Sequence, residues 1–338
     1  MQQQTYYCTA NRLPYLYVLY QFDCLSVAQV AYLLGAAESV AARYLRALRD
    51  DGYAKDIKVD RKQYWHIVTN GIQWLGKVIN AELPITHGSL NPRKTTKNHA
   101  VHDLTGTLAI MQFIENTIEN GRGVISWLGP TLTKTLYPRQ LDKAILDKEG
   151  NVIGQRPMMV STYNPDAYVE VFLGDRWGSM NIEIDSGTQH LPILSKKVEK
   201  CRQGTVVDNF KSNSNWQTIA FITKRNKWRI LDSVVEQYVD HPNPILVICA
   251  TVDEILTYGP YERIWGSNMG THDLYDLSEI LINPWESSEN PLLIGTQSWR
   301  ETLREGELYL HSPQEPFVTG VRPWERYIKF KEQYGRMW

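Results

Sequence analysis

The sequence predicts an α/β protein built from a small helical module followed by a larger mixed-sheet domain. Three observations carry this. The first eighty residues hold four amphipathic stretches and one charged hairpin. A Pro-, Gly- and basic-rich segment follows at 84–98. Beyond it, apolar strands such as QTIAFITK and PILVICAT alternate with helical patterns such as LPILSKKVEKCRQ, the order of an α/β domain. The 338 residues suffice for two domains or three. Hydrophobic residues at 43% and charged residues at 22% fit a folded chain.

Composition narrows the function. Lys plus Arg total 36 and Asp plus Glu 37, so the net charge is −1. Any nucleic-acid footprint must therefore be local rather than global. Cys8, Cys24, Cys201 and Cys249 form no CxxC pair, which argues against zinc ribbons and redox motifs. They read as buried, reduced thiols. No apolar run is long enough to span a bilayer. MQQQTYYCTANR lacks the apolar core of a secretory signal, so a cytoplasmic protein is expected. No GxxxxGK[ST] stretch exists, against a P-loop ATPase. Ser161 and Thr162 have no identifiable base, so a hydrolase triad is unsupported.

In the N-terminal module, RLPYLYVLYQF at 12–22 reads as a first, apolar helix. Ser26 is a natural N-cap for VAQVAYLL, which Gly35 stops. A third helix runs from near Ser39 to Gly52, with Val40, Tyr44, Leu45 and Leu48 at helical spacing. Two β stretches, 53–59 and 63–68, flank the turn DRK, and the helix GIQWLGKVINAEL follows. This is the order of a winged helix-turn-helix. Its third helix carries Arg43, Arg46 and Arg49 at three-residue spacing. Exposed arginines there suit phosphates or the guanine edge in the major groove. Arg61 and Lys62 stand at the hairpin turn, where a wing meets the DNA backbone. A solvated basic face offset by Glu38, Asp50 and Asp51 is the alternative. The linker at 84–98 adds Arg93 and Lys94, a phosphate-tracking segment or a plain spacer.

In the larger domain a helix from His99 is expected to run to Gly121 and Gly123, followed by a strand at 124–128 and a hairpin over 143–154. DAYVEVFLG then opens at Asp166, and SMNIEID ends at Asp185. Residues two apart in a strand face the same side, so Glu183 and Asp185 share a side. If the two strands pair, Asp166 joins them. Three crowded carboxylates imply a bound cation or raised pKa values, and oxygen ligands suit Mg²⁺ or Mn²⁺. Lys196 and Lys197, on the next helix, are within reach. Carboxylates that simply face water are the alternative. His99 and His102 share a helix but have no third ligand nearby in sequence. A terminal helix is expected over WERYIKFKEQYGRMW, with Trp324, Tyr327, Ile328 and Phe330 on its apolar side.

PDA, then fifteen residues, then EID-x-GT, then a downstream lysine resembles the replication-relaxation family of plasmids and other mobile elements. The matching positions are Pro165, Asp166, Ala167, Glu183, Asp185, Gly187, Thr188 and Lys197. RYLRALRDDGY resembles that family's third helix, YWHIVTNG the end of its wing, and His99 with Asp103 the start of its linking helix. The resemblance spans residues 12–255. It implies a winged helix on 1–83, a basic linker on 84–98, and on 99–255 a restriction-endonuclease-like fold of the PD-(D/E)XK type. Residues 256–338 are left as a C-terminal extension that docks on the body or on a partner. In such enzymes an Asp and a Glu hold Mg²⁺, and a lysine two residues after the Glu orients water. Here that position is Asp185, a departure that Lys197 would have to make good.

The resulting expectation is a double-stranded-DNA-binding protein of a mobile element, acting in replication, transfer or transposition with other proteins. Asp166 and Glu183 would be metal ligands, Asp185 a third ligand or the base, and Lys197 the electrostatic partner of the transition state. The competing expectation is an inactive nuclease-like platform that recognises DNA and assembles partners. Transcriptional regulation by the winged helix alone leaves the larger domain unexplained.

Overall fold

A computed structural model describes residues 12–22, 24–59, 61–78, 97–118, 121–129, 133, 138–146, 152–161, 163–187, 190–203, 218–236, 245–269, 271–281, 283–284, 290–304, 307–309 and 327–329. The N-terminal module is α1 (Leu13–Phe22), β1 (Leu25–Ser26), α2 (Val27–Leu34), α3 (Glu38–Asp50), β2 (Ala54–Val59), β3 (Lys62–Ile67) and α4 (Thr69–Val78). The three strands form an antiparallel sheet in the order β1-β3-β2.

Local chemistry explains these boundaries. Ser26 accepts from the Gln29 amide while the Gln29 side chain accepts from the Ser26 amide, a reciprocal cap at the start of α2. Gly35 closes α2 at φ 60, a conformation that costs glycine little. The end of α3 is tied by Gly52 N–H to Arg49 O and Tyr53 N–H to Leu48 O. Ala41, Leu45 and Leu48 are its buried stripe. The apolar α1 buries nine of its ten residues, as expected of a helix enclosed on all sides.

That enclosure joins the two parts of the chain. On one side α1 packs on α2, α3, α4 and β3; on the other it touches β4 (Gly123–Leu128) of the larger domain. One apolar core contains Leu16 and Leu19 together with Phe113, Val124, Val169 and Ile222. Thr107 Oγ1 donates to Cys24 O at 3.0 Å. Residues 79–96, which hold most of the expected linker with Arg93 and Lys94, lie outside the described residues.

The larger domain begins with α5 (Lys97–Glu115) and β4, then the hairpin β5 (Pro138–Leu146) and β6 (Val152–Ser161). Next come β7 (Ala167–Phe172), β8 (Arg176–Asp185), α6 (Leu191–Gln203), β9 (Thr218–Thr223), α7 (Lys227–Asp232) and β10 (Leu246–Thr251). The main sheet is mixed, in the order β11-β10-β9-β8-β7-β4, where β11 is Gly266–Ser267. β4, β7 and β8 are antiparallel neighbours; β8, β9 and β10 are parallel. Near-continuous burial of β7, β8, β9 and β10 matches their apolar runs, since such strands are covered on both faces.

Several expectations change. α5 ends at Glu115 rather than at Gly121. The side chains of Asn116 and Thr117 bond back to the carbonyls of Gln112 and Phe113, competing with further helix. Gly123 opens β4 instead of closing the helix. The sheet also continues past residue 255. After α8 (Val252–Tyr258), β11 pairs with β10, and β12 (Asn283–Pro284) pairs with the start of β8. Leu277, Ile280, Leu281, Ile294, Trp299 and Leu303 belong to the common core. From α10 (Gln297–Arg304), which follows α9 (Leu277–Ile280), Arg300 Nη2 donates to Tyr32 O at 2.8 Å, and its guanidinium lies 5.2 Å from the Tyr32 ring. The expected terminal helix is not what forms at Tyr327–Lys329, here β14. It pairs antiparallel with β13 (Glu307–Tyr309). The Tyr-Ile-Lys-Phe-Lys alternation fits a two-residue period as well as a helical one. Trp324 and Phe330 lie outside the described residues.

Candidate functional site

Pairing of β7 with β8 sets the site. Ala167 stands opposite Ile182, so Asp166, one residue before β7, falls beside Glu183 and Ile184. The Ile184 amide donates to Asp166 Oδ2 at 2.8 Å. Thr133 Oγ1 donates to Pro165 O at 2.8 Å, fixing the turn that delivers Asp166. Glu183 is fully buried in β8. Tyr163 donates its hydroxyl to Glu183 Oε1 at 2.7 Å.

Lys197 completes the group from α6. Its ammonium makes a very short contact with Glu183 Oε2 and lies 3.9 Å from Asp166 Oδ2. Lys196 is exposed. Of the two lysines one turn into the helix, Lys197 alone faces the carboxylates.

Burial, reinforced by the Asp166 charge, pushes the Glu183 carboxyl up to about 7 despite bonds from Lys197 and Tyr163. Burial pulls Lys197 down, but the Glu183 and Asp166 charges outweigh it, and its pKa is raised. The stability consequence has a definite sign. A carboxyl whose folded pKa lies above its ordinary 4.5 contributes stability that is complete below that value and is lost as pH rises through about 7. In metal-free protein, stability should therefore fall between pH 4.5 and 7, by at most about 3 kcal/mol from this group. Thermal melts in EDTA across that range should show the slope in wild type and a flatter profile in Glu183→Gln.

Asp185 occupies a different setting. It has no exposed area. Thr223 Oγ1 donates to its Oδ2 at 2.9 Å, the Gly187 amide donates to its Oδ1 at 3.0 Å, and Arg225 Nε lies 3.2 Å from Oδ2. Among the described residues, no group of three or more His, Cys, Asp and Glu side chains is arranged to hold a metal ion. The expected three-carboxylate cluster thus divides in two: Asp166 and Glu183 under Lys197, and Asp185 with Arg225 and Thr223. The two settings remain electrically linked, since the Asp185 charge acts on Lys197.

The arginines of α3 also divide. Arg43 and Arg46 are exposed; the Arg43 guanidinium lies over the Tyr44 ring, and Arg46 Nε donates to Ala42 O. Arg49 is tied to Asp50 and Asp56 at 3.2 and 3.6 Å and lies 5.9 Å from the Trp65 ring. The hairpin presents Lys55, Lys58, Arg61 and Lys62, all exposed, with Arg61 at φ 68 in the turn. α5 carries His99 and His102, whose side chains are not among those described.

Sequence reasoning did not find Tyr163, Thr223 or Arg225. Tyr163 lies two residues before Pro165, close enough to the PDA motif to have been a candidate. Thr223 and Arg225 had no local signal, because Thr223 meets Asp185 only through the β8–β9 register.

A family model for replication-relaxation proteins matches residues 16–206, more than half of the chain. No curated protein and no solved structure matches it. The matched segment runs from α1 through α6 and takes in Asp166, Glu183, Asp185 and Lys197. The chain belongs to the replication-relaxation family.

Proposed function

We propose that this protein binds double-stranded DNA of a plasmid or other mobile element and cuts it with a metal-dependent, PD-(D/E)XK-type centre during replication or relaxation. The observation that carries this reading is the Lys197 ammonium between Asp166 and Glu183, at the junction of β7 and β8. The order α5-β4-β7-β8-α6-β9, interrupted by the β5–β6 hairpin after β4, gives three antiparallel strands and then a parallel crossover, which supports it. That order has the acidic residues of such nucleases at the start of the second strand and near the end of the third.

Two convergent carboxylates fit a hard cation, because Mg²⁺ typically takes one or two carboxylates and completes its shell with water and substrate phosphate. Asp166 and Glu183 would hold Mg²⁺ or Mn²⁺, which would supply a nucleophilic water and counter-charge to the phosphate. The chain's own contributions are separable. The Ile184 amide and Tyr163 hydroxyl hold the two carboxylates in place. Lys197 keeps a positive charge at the point where charge develops on the scissile phosphate, in the role that Asp185 cannot fill.

In the N-terminal module, the order α1-β1-α2-α3-β2-β3 supports a winged helix. Arg43 and Arg46 are its proposed DNA contacts on α3, with Arg61 and Lys62 on the hairpin. Arg49 acts mainly within the fold, bracing α3 on the hairpin. The double variant Arg43→Ala/Arg46→Ala should weaken duplex binding and reduce the salt slope by about two units. Fluorescence anisotropy over a range of NaCl concentrations reads both, and an unchanged slope removes these residues from the interface.

A second reading has its own observation. Asp185, fixed by Thr223 and Arg225, stands where PD-(D/E)XK enzymes carry lysine, which favours a DNA-assembly platform without chemistry. Supercoiled plasmid incubated with purified full-length protein decides between them. Nicked or linear product with Mg²⁺ or Mn²⁺, abolished by EDTA, supports the nuclease. Intact plasmid under all conditions supports the platform.

A further inference from the structure

We infer that Arg225 forms a binding site for a DNA backbone phosphate beside the carboxylate pair, with Asp185 serving as its anchor rather than as a metal ligand. The inference rests on the proposed DNA-directed role of the larger domain. It starts from the topology: β8 and β9 are parallel and end at the same edge, with Asp185 in register with Thr223. Ligands of open α/β sheets gather outside the carboxyl ends of such strands.

Both strand ends are closed by side-chain turns that aim Arg225. After β8, Asp185 Oδ1 accepts from Gly187 N–H; Gly187 sits at φ +87, where a side chain would be strained. After β9, Thr223 Oγ1 accepts from the Arg225 amide and donates to Asp185 Oδ2. The Lys224 amide donates to the Asp185 carbonyl at 3.1 Å. The Arg225 backbone and Nε are thereby both held on the Asp185–Thr223 pair.

The far side of the guanidinium is the active face. Arg225 pairs with Asp185 through Nε, and among the described residues no hydrogen bond engages Nη1 or Nη2. Its side chain keeps 27% of its surface open, whereas Asp185 keeps none. A guanidinium held at Nε and open at its terminal nitrogens suits a tetrahedral oxyanion. Lys197 pairs with Glu183 and Asp166, which ties it to the scissile position, whereas Arg225, with the exposed Lys224 beside it, can meet a neighbouring phosphate. This also gives Asp185 a reason to stand at the usual lysine position: the positive charge arrives from the neighbouring strand, and the acid orients it.

The test reads binding, not cleavage. A fluorescein-labelled 20-bp duplex is titrated with full-length protein in EDTA over a series of NaCl concentrations. The primary variant is Asp185→Asn/Arg225→Gln. It removes both partners, leaves no lone buried charge, and does not change the net charge. It should bind about tenfold more weakly, with a salt slope reduced by about one unit. Because net charge is preserved, a mere change in long-range field would not move the slope, and an unchanged urea midpoint shows that the fold is kept. An unchanged slope overturns the proposal. Arg225→Lys keeps the ion pair and with it the fold; it should retain the slope and lose affinity severalfold, and wild-type affinity in this variant overturns the guanidinium geometry. Absence of plasmid cleavage by the wild type would count against the nuclease reading and leave these binding results intact.

Discussion

Glu183→Gln should lower the rate of Mg²⁺-dependent DNA cleavage by about a thousandfold, which is about 4 kcal/mol of transition-state stabilisation. The substitution is nearly isosteric. Tyr163 can still donate to the side-chain oxygen, and Lys197 still has Asp166 within 3.9 Å. What disappears is one of the two negative charges that converge beside Lys197. Asp166→Asn should behave similarly. Its carboxylate accepts from the Ile184 amide, a bond that the amide oxygen of asparagine can keep. Single-turnover cleavage with saturating protein separates this loss from any change in DNA affinity. Wild-type rates in either variant would place the chemistry elsewhere.

Gly178→Ala should destabilise the whole protein by about 3 kcal/mol. A Cβ at Gly178 would lie 2.5 Å from Leu281 Cβ and 2.8 Å from its Cγ. Leu281 is itself buried at 4% exposure, at the end of α9 and just before β12, which pairs with β8. The clash therefore tests whether the chain beyond 255 is part of the fold. Urea unfolding followed by tryptophan fluorescence should show one transition with a lower midpoint. A wild-type midpoint would mean that Leu281 does not pack there. A single transition is expected because α1, the sheet and α10 contribute to one core.

Much of the site was legible because its signals are local or set by one strand pairing. Ser26 and Gly35 gave both ends of α2. The LPILSKKVEKCRQ pattern matches α6 residue for residue. Asp166 and Glu183 could be placed together because adjacent antiparallel strands bring the start of one beside the end of the other. The partners of Asp185 were not legible, for a physical reason. Two-residue spacing puts it on the same side as Glu183 but says nothing about its partners. Those partners, Thr223 and Arg225, lie across a parallel crossover about forty residues away in sequence. The same limit hid the return of residues 266–303 onto the sheet, which depends on pairings with β10 and β8 rather than on any local pattern. Arg49 followed the three-residue spacing of Arg43 and Arg46, but Asp56 on β2 captures it.

The central claim is that Asp166 and Glu183 together hold a divalent cation. Isothermal titration of Mn²⁺ into full-length wild type, Asp166→Asn and Glu183→Gln at pH 8, above the Glu183 pKa of about 7, tests it most directly. The account predicts saturable binding in the wild type, with proton release as the pH is lowered toward 7, and binding weakened at least about tenfold in each variant. Equal Mn²⁺ affinity in all three proteins, or no binding in the wild type with and without duplex DNA, would contradict it.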